Sequence, residues 1–421
     1  MRETDTDQPE AAVEKMVREE WGQVLATLVA YVRDFNLAED MLQDACVSAL
    51  EHWPKDGVPK SPRAWLLQTA RRKAIDRFRR QAKFETKRTE LEILTNLEQQ
   101  IRTTEEDTVD ETIPDDRLRL IFTCCHPALE EHVRVALTLR TLGGLTTPEI
   151  ARAFMIPEIT MAQRLVRAKR KIKVANIPYI VPSPHLWPER INSVLTVIYL
   201  IFNEGYAARS GNQLTRADLC HEAIRLGNIL VSLVPQEPEV AGLLALMLLH
   251  DSRCLARTDH DGNMVTLDRQ DRTLWKQDQI DKGVSVLQRA LLMSRLGPFQ
   301  IQAAISAAHA QAKNYDETDW HEITLLYEKL YERQPSPVIK LNAVVALSFA
   351  HGAQAGLSAM AALDTSGELA LYQPYHAARA DLFRRAGRKK DSVAAYQQAL
   401  KFTENAAERH FLEQRLGQVS E

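Results

Sequence analysis

Helical spacing of apolar residues, present along almost the whole chain, is the feature that most limits how this sequence can fold. Met161, Leu165, Ala168 and Ile172, for example, recur at intervals of four, three and four residues, which places them on one face of an α-helix. Alternating patterns of apolar and polar residues, which half-buried strands show, are scarce. The sequence therefore predicts an all-α protein.

Proline-rich and polar stretches divide the 421 residues into several helical parts. Three prolines and a glycine interrupt the first part at "WPKDGVPKSP" (53–62), and "NIPYIVPSPHLWP" (176–188) precedes a long helical remainder. We predict, in order, a disordered N-terminus (1–12), a first helical module (13–84), an acidic linker (85–115), a second helical module (116–177), a helical extension (178–300) and a set of helical repeats (301–421).

The last part of the chain shows a weak internal period. Gly352 and Gly387 lie 35 residues apart, and Ala380, Tyr396 and Ala399 occupy the small and packing positions of a helical pair. This spacing is close to that of tetratricopeptide repeats, which stack pairs of helices. An irregular helical bundle is the alternative interpretation of this part.

Composition excludes some classes of protein. The longest apolar runs, such as 243–249, are far shorter than the roughly 20 residues that a membrane-spanning helix needs. The N-terminus, MRETDTDQPE, is acidic and polar, unlike a signal or transit peptide. Five cysteines, an odd number, do not indicate a disulfide framework. We therefore expect a cytoplasmic protein with no membrane segment.

Positive charge is concentrated in two segments. Residues 62–88 contain ten Lys and Arg residues but only two acids, and residues 163–173 contain six Lys and Arg residues and no acid. Because the whole chain has a net charge of −3, the remainder is strongly acidic. Two separate basic segments on an acidic protein indicate a polyanion that is contacted at two places.

The second basic segment belongs to a possible helix-turn-helix, "LTTPEIARAFMIPEITMAQRLVRAKRKI" (145–172). Thr146 and Glu149 have the spacing of a capping box at the start of its first helix. The second helix buries the stripe that begins at Met161, and it leaves a polar face that suits base edges and phosphates. The residues on that face are Glu158, Thr160, Gln163, Arg164 and Arg167. An amphipathic hairpin with a solvated basic edge explains this segment alone equally well.

The first basic segment, "SPRAWLLQTARRKAIDRFRRQAKF" (61–84), interleaves cations with aromatic residues, a composition that suits a nucleic-acid backbone. An ordinary basic surface helix is the alternative. Upstream, "FNLAEDMLQDACVSALEHW" (35–53) places Met41 and Ala45 on an inner face. Its outer face is acidic and carries Glu39, Asp40, Gln43 and Asp44. That face is either merely solvated or a surface that docks on another protein.

Taken together, these three motifs resemble the two conserved domains of bacterial sigma factors. Their order and spacing are most similar to those of the extracytoplasmic-function group of the sigma-70 family. Downstream, "FTCCHPAL" (122–129), "LIFNEGY" (200–206) and "GPFQIQAAISAAHA" (297–310) resemble one subgroup that has a long tetratricopeptide-like C-terminal extension. The resemblance covers nearly the whole chain and implies sigma region 2 at 13–84 and sigma region 4, with its helix-turn-helix, at 116–177.

The resemblance also implies partners and site residues. Core RNA polymerase and promoter DNA are the expected partners, and Asp40, Gln43 and Asp44 match the motif that docks on the polymerase. The residues that match the minus-ten side of the promoter are Arg63, Trp65, Arg71, Arg72, Arg79 and Arg80. The residues expected on the minus-thirty-five side are Glu158, Thr160, Gln163, Arg164, Arg167 and Lys169. The extension is expected to contact the sigma domains and to regulate them.

We expect neither a metal nor a cofactor, and no enzymatic activity. Cys124, Cys125 and His126 are adjacent, which suits a tetrahedral zinc site poorly, and no C-x-x-C pair accompanies them. His250 and Asp268 belong to a polar region without the signature of a known hydrolase or nucleotide-binding loop. Two rival functions remain: a helix-turn-helix regulator that acts without polymerase, and a sensor or enzyme whose ligand site includes His250 or Asp268.

Overall fold

The computed structural model describes residues 9–32, 34–82, 113–154, 156–206, 217–260, 263–293, 295–364, 369–403 and 405–420. Within these ranges the chain is helical and contains no β-strand, which confirms the predicted all-α class. Two compact units divide the chain: Met1–Ile198 (unit 1) and Tyr199–Glu421 (unit 2).

The described residues of the first module of unit 1 form three helices, α1 (Pro9–Val32), α2 (Phe35–Asp56) and α3 (Pro62–Ala82). Their shared core includes Leu28, Leu42 and Leu66, none of which is accessible to solvent. Asp34 caps α2, since its carboxylate accepts hydrogen bonds from the backbone N–H groups of residues 36 and 37. The module therefore holds α2 and α3, which carry the acidic and basic motifs, against one core.

Two boundaries of the first module differ from the sequence prediction. Helix α1 begins at Pro9, inside the stretch 1–12 that was expected to be disordered, and proline is well suited to the first turn of a helix. The loop expected at 53–62 is shorter, because α2 continues through Pro54 to Asp56. The helix ends only at Gly57, whose φ of 83° is available to glycine at little cost. Residues 1–8 lie outside the described residues.

The second module consists of α4 (Ile113–Cys124), α5 (Glu131–Thr141), α6 (Thr147–Ala153) and α7 (Glu158–Val174). The capping box is present: the backbone N–H of Thr146 donates to Glu149 Oε2 at 2.7 Å, and the N–H of Glu149 donates to Thr146 Oγ1 at 3.4 Å. The predicted inner stripe of α7 is buried, with Met161 wholly inaccessible. Helices α6 and α7 thus form the predicted helix-turn-helix. Of the acidic linker predicted at 85–115, residues 85–112 lie outside the described residues. Its last three residues, 113–115, form the start of α4.

Residues 178–198, the beginning of the predicted extension, belong to unit 1. Helix α8 (Trp187–Tyr206) begins here, and the division between the two units falls within it. Arg190 donates to the carbonyl of Phe122 at 2.5 Å, and Ser193 donates to the carbonyl of Cys125 at 2.5 Å. Tyr179 Oη lies 2.8 Å from the carbonyl of Ala26 and 3.0 Å from that of Asp116. This segment therefore completes the packing of unit 1.

In the described part of unit 2, ten further helices pack in sequence, each against its neighbour. They are α9 (Ala217–Leu233), α10 (Pro238–Asp251), α11 (Gln277–Leu291), α12 (Pro298–Gln311), α13 (Trp320–Arg333), α14 (Pro337–His351), α15 (Ala353–Asp364), α16 (Gln373–Arg385), α17 (Lys389–Lys401) and α18 (Ala406–Ser420). Helix α10 lies at the centre of the first part, because α9, α11 and α12 all pack on it and residues 242–249 are buried without a break.

The residues that suggested helical repeats lie at the turns and contacts of unit 2. Gly352 (φ 90°) separates α14 from α15, and Gly387 (φ 73°) precedes α17. Ala380 and Ala399 are wholly buried where α16 and α17 meet. The buried hydroxyl of Ser392 donates to the carbonyl of Ala380 at 2.9 Å, so this polar residue is satisfied inside the contact.

Among the described residues, none of the helices combines the length and the apolar character that crossing a membrane requires.

Candidate nucleic-acid interface

The acidic ridge of α2, formed by Asp40, Gln43 and Asp44, points to solvent. All three residues are exposed, whereas Met41 and Ala45, on the opposite side of the helix, are buried. Asp40 lies 3.4 Å from Nη1 of Arg77 on α3, in an exposed ion pair. Such a pair contributes little to stability, so the ridge keeps its acidic character and is accessible to a partner protein.

Glu39, which the sequence placed on the same exposed face, is instead only 6% exposed. Its carboxylate accepts a hydrogen bond from Nε of Arg140 on α5 at 2.7 Å, and it forms a second ion pair with Lys169 on α7. Burial alone would raise the pKa of Glu39, but the two cations outweigh it and hold the pKa below its ordinary value. Glu39 therefore joins the first module to the second.

This charge cluster (Glu39, Arg140 and Lys169) has a defined dependence on pH. Because the pKa of Glu39 is lowered in the folded state, the stabilisation is fully present above the pKa of an unfolded glutamate, about 4.3. It is lost as the pH falls through the lower, folded-state value. The cluster consequently holds the two modules together throughout the neutral range.

Further contacts between the modules lie on either side of the cluster. Lys173 Nζ, on α7, lies 3.1 Å from Asp34 Oδ2 at the start of α2. Gly22 on α1 lies so close to Leu142 that a Cβ at this glycine would be 2.9 Å from the carbonyl oxygen of Leu142. A groove of about 780 Å³ runs beside these contacts and is lined in part by Arg119 and Tyr179. The first and second modules thus pack directly on each other within unit 1.

The basic residues of α3 differ in their accessibility. Arg72 and Arg79 are exposed, whereas Arg63 is half-buried and lies 3.7 Å from Glu20. Arg71 is half-buried, with its guanidinium 3.9 Å from the centre of the Tyr31 ring, and burial lowers its pKa. Trp65 is half-buried, and its ring packs edge-on against that of Trp53, with the two ring centres 5.5 Å apart. The side chain of Arg80 lies outside the described residues.

The outer face of α7 is open to solvent. Glu158, Thr160, Gln163 and Arg167 are exposed and Arg164 is half-buried. Nη2 of Arg167 donates to the side-chain oxygen of Gln163 at 3.3 Å, which orients both side chains on the same turn. Lys169, the sixth residue predicted to contact DNA here, has a different environment because it forms the ion pair with Glu39.

Ile159, which the sequence analysis did not name among the site residues, is exposed on the same helix. Its side chain is 74% exposed and lies between Glu158 and Thr160 at the start of α7. An apolar side chain at this place can contact the methyl group of a thymine in the major groove. Its exposure follows from its position outside the buried stripe of α7.

The cysteines near residue 124 are buried in the second module. Sγ of Cys124 lies 3.0 Å from the hydroxyl of Thr141, and Sγ of Cys125 lies 3.5 Å from that of Thr138. Burial raises the pKa of Cys125 to about 11, so this thiol is protonated at neutral pH. Both cysteines thus contribute to the interior of the module, facing α5.

Comparison with known protein families decides what these surfaces belong to. The model of sigma-70 region 2 matches residues 16–84, and the model of sigma-70 region 4 matches residues 119–172. The chain belongs to the sigma-70 family. This sigma factor is of the extracytoplasmic-function type and carries a C-terminal extension, as the sequence analysis inferred.

The extension of the sigma factor also has relatives. Residues 190–291 match a family of unknown function, DUF6596. An uncharacterized protein of Rhizobium meliloti (strain 1021) is 41% identical over 399 residues, which cover 94% of this chain and 93% of that protein. No solved structure matches the chain. Sigma factors are not an enzymatic family; they act with core RNA polymerase and promoter DNA.

Proposed function

We propose that this sigma factor directs promoter-specific initiation through three surfaces on unit 1. The ridge of Asp40, Gln43 and Asp44 docks on core RNA polymerase, the basic face of α3 contacts the minus-ten side, and the outer face of α7 reads the minus-thirty-five side. The observation that carries the proposal is that the acidic ridge and the polar face of α7 are both open to solvent. Bound to polymerase and chromosomal DNA, the factor works in the cytoplasm.

We further propose that unit 1, as described, is a closed form of the factor. A module of about 70 residues has a radius of gyration of roughly 11 Å, so the centres of two touching modules lie roughly 30 Å apart. The minus-ten and minus-thirty-five elements lie roughly 25 base pairs apart, which is roughly 85 Å of duplex at about 3.4 Å per base pair. The two modules must therefore separate to contact both elements. Separation also releases Lys169 from Glu39, which makes its ammonium available to a phosphate.

Loosening the contact between the modules should expose Lys169. We expect Gly22→Ala to raise the rate at which acetic anhydride modifies Lys169 at least about five-fold, since the new Cβ forces the backbone at Leu142 away. Glu39→Gln should do the same by leaving two largely buried cations without their anion, a change that costs about 3–5 kcal/mol in fully buried pairs. Mass spectrometry of the acetylated full-length chain gives the rate at each lysine.

Two controls accompany this measurement. Gly417→Ala makes the same substitution where a new Cβ meets nothing within 4 Å, and it should leave Lys169 protected. Lys55 and Lys60, which are exposed on the first module, should react equally in all variants. Equal modification of Lys169 in the wild type, Gly22→Ala and Glu39→Gln would contradict the closed form.

We also propose that unit 2 regulates the activity of the sigma domains. Its support is its size, more than half of the chain, and its independent compactness. A chain that ends at Ile198 keeps all of unit 1, including the contacts of Arg190 and Ser193. We expect its promoter-dependent transcription to differ at least about five-fold from that of the full chain at equal polymerase binding. Equal transcription at equal polymerase binding would rule out a regulatory role for unit 2.

A further inference from the structure

Unit 2 contains a partly enclosed cavity of about 430 Å³, bordered by the end of α8 and by α10, α12, α13 and α14. This volume lies within the range of roughly 300–1,000 Å³ that is usual for small-molecule sites. Aromatic side chains form much of its wall, among them Tyr199, Phe202, Trp275 and Tyr327. The wall can thus accommodate an apolar or aromatic body.

Positive charge accumulates beside this cavity. Arg253 lines it directly, and Arg257 and Arg272 lie close by, stacked over the rings of Tyr206 (3.7 Å) and Trp275 (4.4 Å). Among the residues that the structure describes, Arg253 and Arg272 form no ion pair with a carboxylate, whereas Arg257 interacts electrostatically with Glu408.

The nearest acid of α10 does not neutralise this charge. Asp251 accepts hydrogen bonds from Lys276 at 3.2 Å and from Gln279 at 2.9 Å. Arg257 and Arg272 also use some of their donors on backbone carbonyls, those of Tyr206 and His309. Arg253 makes no such side-chain hydrogen bond within the described part of the chain, so its guanidinium is the group that can receive an anion.

Neutral polar groups surround the same cavity. His250 and His309 both line it, and burial, together with the charge of Arg253, lowers the pKa of both imidazoles, that of His309 to about 4. At neutral pH each ring therefore offers one donor and one acceptor. Nδ1 of His309 and Nε1 of Trp275 are buried without a hydrogen-bond partner in the described structure. Buried polar atoms that lack a partner are rare in folded proteins and point to an additional binding group.

We propose that this cavity binds a small organic anion. Its carboxylate or phosphate pairs with Arg253, and its apolar body packs on the aromatic wall. Neither promoter recognition nor polymerase binding is required for this site. That the bound anion is a signal that controls transcription rests on the regulatory function proposed for unit 2.

A pair of fluorescent probes tests the site in the full-length chain. 8-Anilinonaphthalene-1-sulfonate is an aromatic anion, and N-phenyl-1-naphthylamine is the same aromatic body without the sulfonate. We expect the anion to bind saturably, and Arg253→Gln to weaken it at least about ten-fold, because a charge-assisted contact is lost. The neutral probe should bind both proteins equally, and Arg253→Lys should retain most of the affinity for the anion.

Arg289→Gln is the matched control, since Arg289 is exposed on α11 and does not line the cavity. Unchanged affinity for the anionic probe in Arg253→Gln would overturn the proposal. Equal weakening of both probes in that variant would also overturn it, because the loss would then reflect packing and not charge.

Competition on the unmodified chain identifies the anionic group and does not depend on any variant being folded. Displacement of the anionic probe by inorganic phosphate indicates a phosphorylated ligand, and displacement by benzoate indicates a carboxylate. Displacement by neither overturns the proposal. The assay contains no polymerase or DNA, so its failure is distinguishable from a failure of the proposed sigma function.

Discussion

Asp44→Lys is expected to remove most promoter-dependent transcription while leaving the fold intact. Asp44 is exposed and has no ion-pair partner in the described structure, so reversing its charge should disturb nothing inside the first module. At an interface, replacing a paired charge costs about 2–5 kcal/mol, and the lower limit of that range corresponds to roughly 30-fold weaker binding. Titration of labelled sigma factor with core polymerase gives the affinity, and run-off transcription gives the activity.

The charge reversal at Asp44 needs a control with the same change elsewhere on unit 1. Glu131→Lys is suitable, because Glu131 is an exposed acid in the first turn of α5 and lies on the second module. It should bind polymerase with wild-type affinity. Asp40 is a less informative choice, since its pair with Arg77 would also be broken. Wild-type polymerase binding by Asp44→Lys would show that the acidic ridge does not dock on polymerase.

Replacing Arg164 and Arg167 together with alanine should weaken promoter binding by the polymerase–sigma complex about 100-fold at moderate salt. Each cation on the outer face of α7 is expected to contact a phosphate or a base edge, and each good contact contributes about 1–3 kcal/mol. If both contact phosphates, the slope of log affinity against log salt concentration should decrease by about 2. Gel-shift titrations over a range of salt concentrations measure both quantities.

The control for this double variant is the loss of two exposed arginines from unit 2. Arg269→Ala with Arg289→Ala removes the same charge from the whole chain, and both residues are exposed. We expect its affinity and its salt slope to remain at the wild-type values. An identical loss in the two double variants would show that only net charge matters, and it would contradict the assignment of α7 as the reading helix.

Local periodicity was enough to predict the helices and their inner faces. Met161, Leu165 and Ile172 are buried as the spacing required, because the environment of these residues is set mainly by the helix that carries them and by its nearest neighbours. The capping box at Thr146 was predicted for the same reason. The loop after α2 was placed too early, because a proline in the last turn costs less than one in the interior of a helix.

Contacts between distant segments could not be predicted in the same way. Glu39 was placed on the exposed face because it neighbours Asp40, yet its partners lie 101 and 130 positions further along the chain. The same pairing gives Lys169 an environment that differs from those of Arg164 and Arg167. The environments of Glu39 and Lys169 are set by the packing of the first module on the second, which the local sequence pattern does not reveal.

The cavity of unit 2 shows the same limit. His250 was suspected as part of a ligand site, and it does line the cavity. Asp268, suspected with it, is exposed and is not among the residues that line the cavity. Arg253, Trp275 and His309 gave no joint signal, because they lie on three separate elements that only the folded chain brings together.

Reconstitution of the full-length chain with core RNA polymerase, followed by mapping of transcript start sites on genomic DNA, shows whether this protein directs promoter-specific initiation. We expect initiation at a limited set of sites, each preceded by two recurring sequence elements, and loss of these transcripts with Asp44→Lys. Tight binding of the chain to duplex DNA without polymerase, together with no new start sites when polymerase is present, would contradict the proposed sigma function.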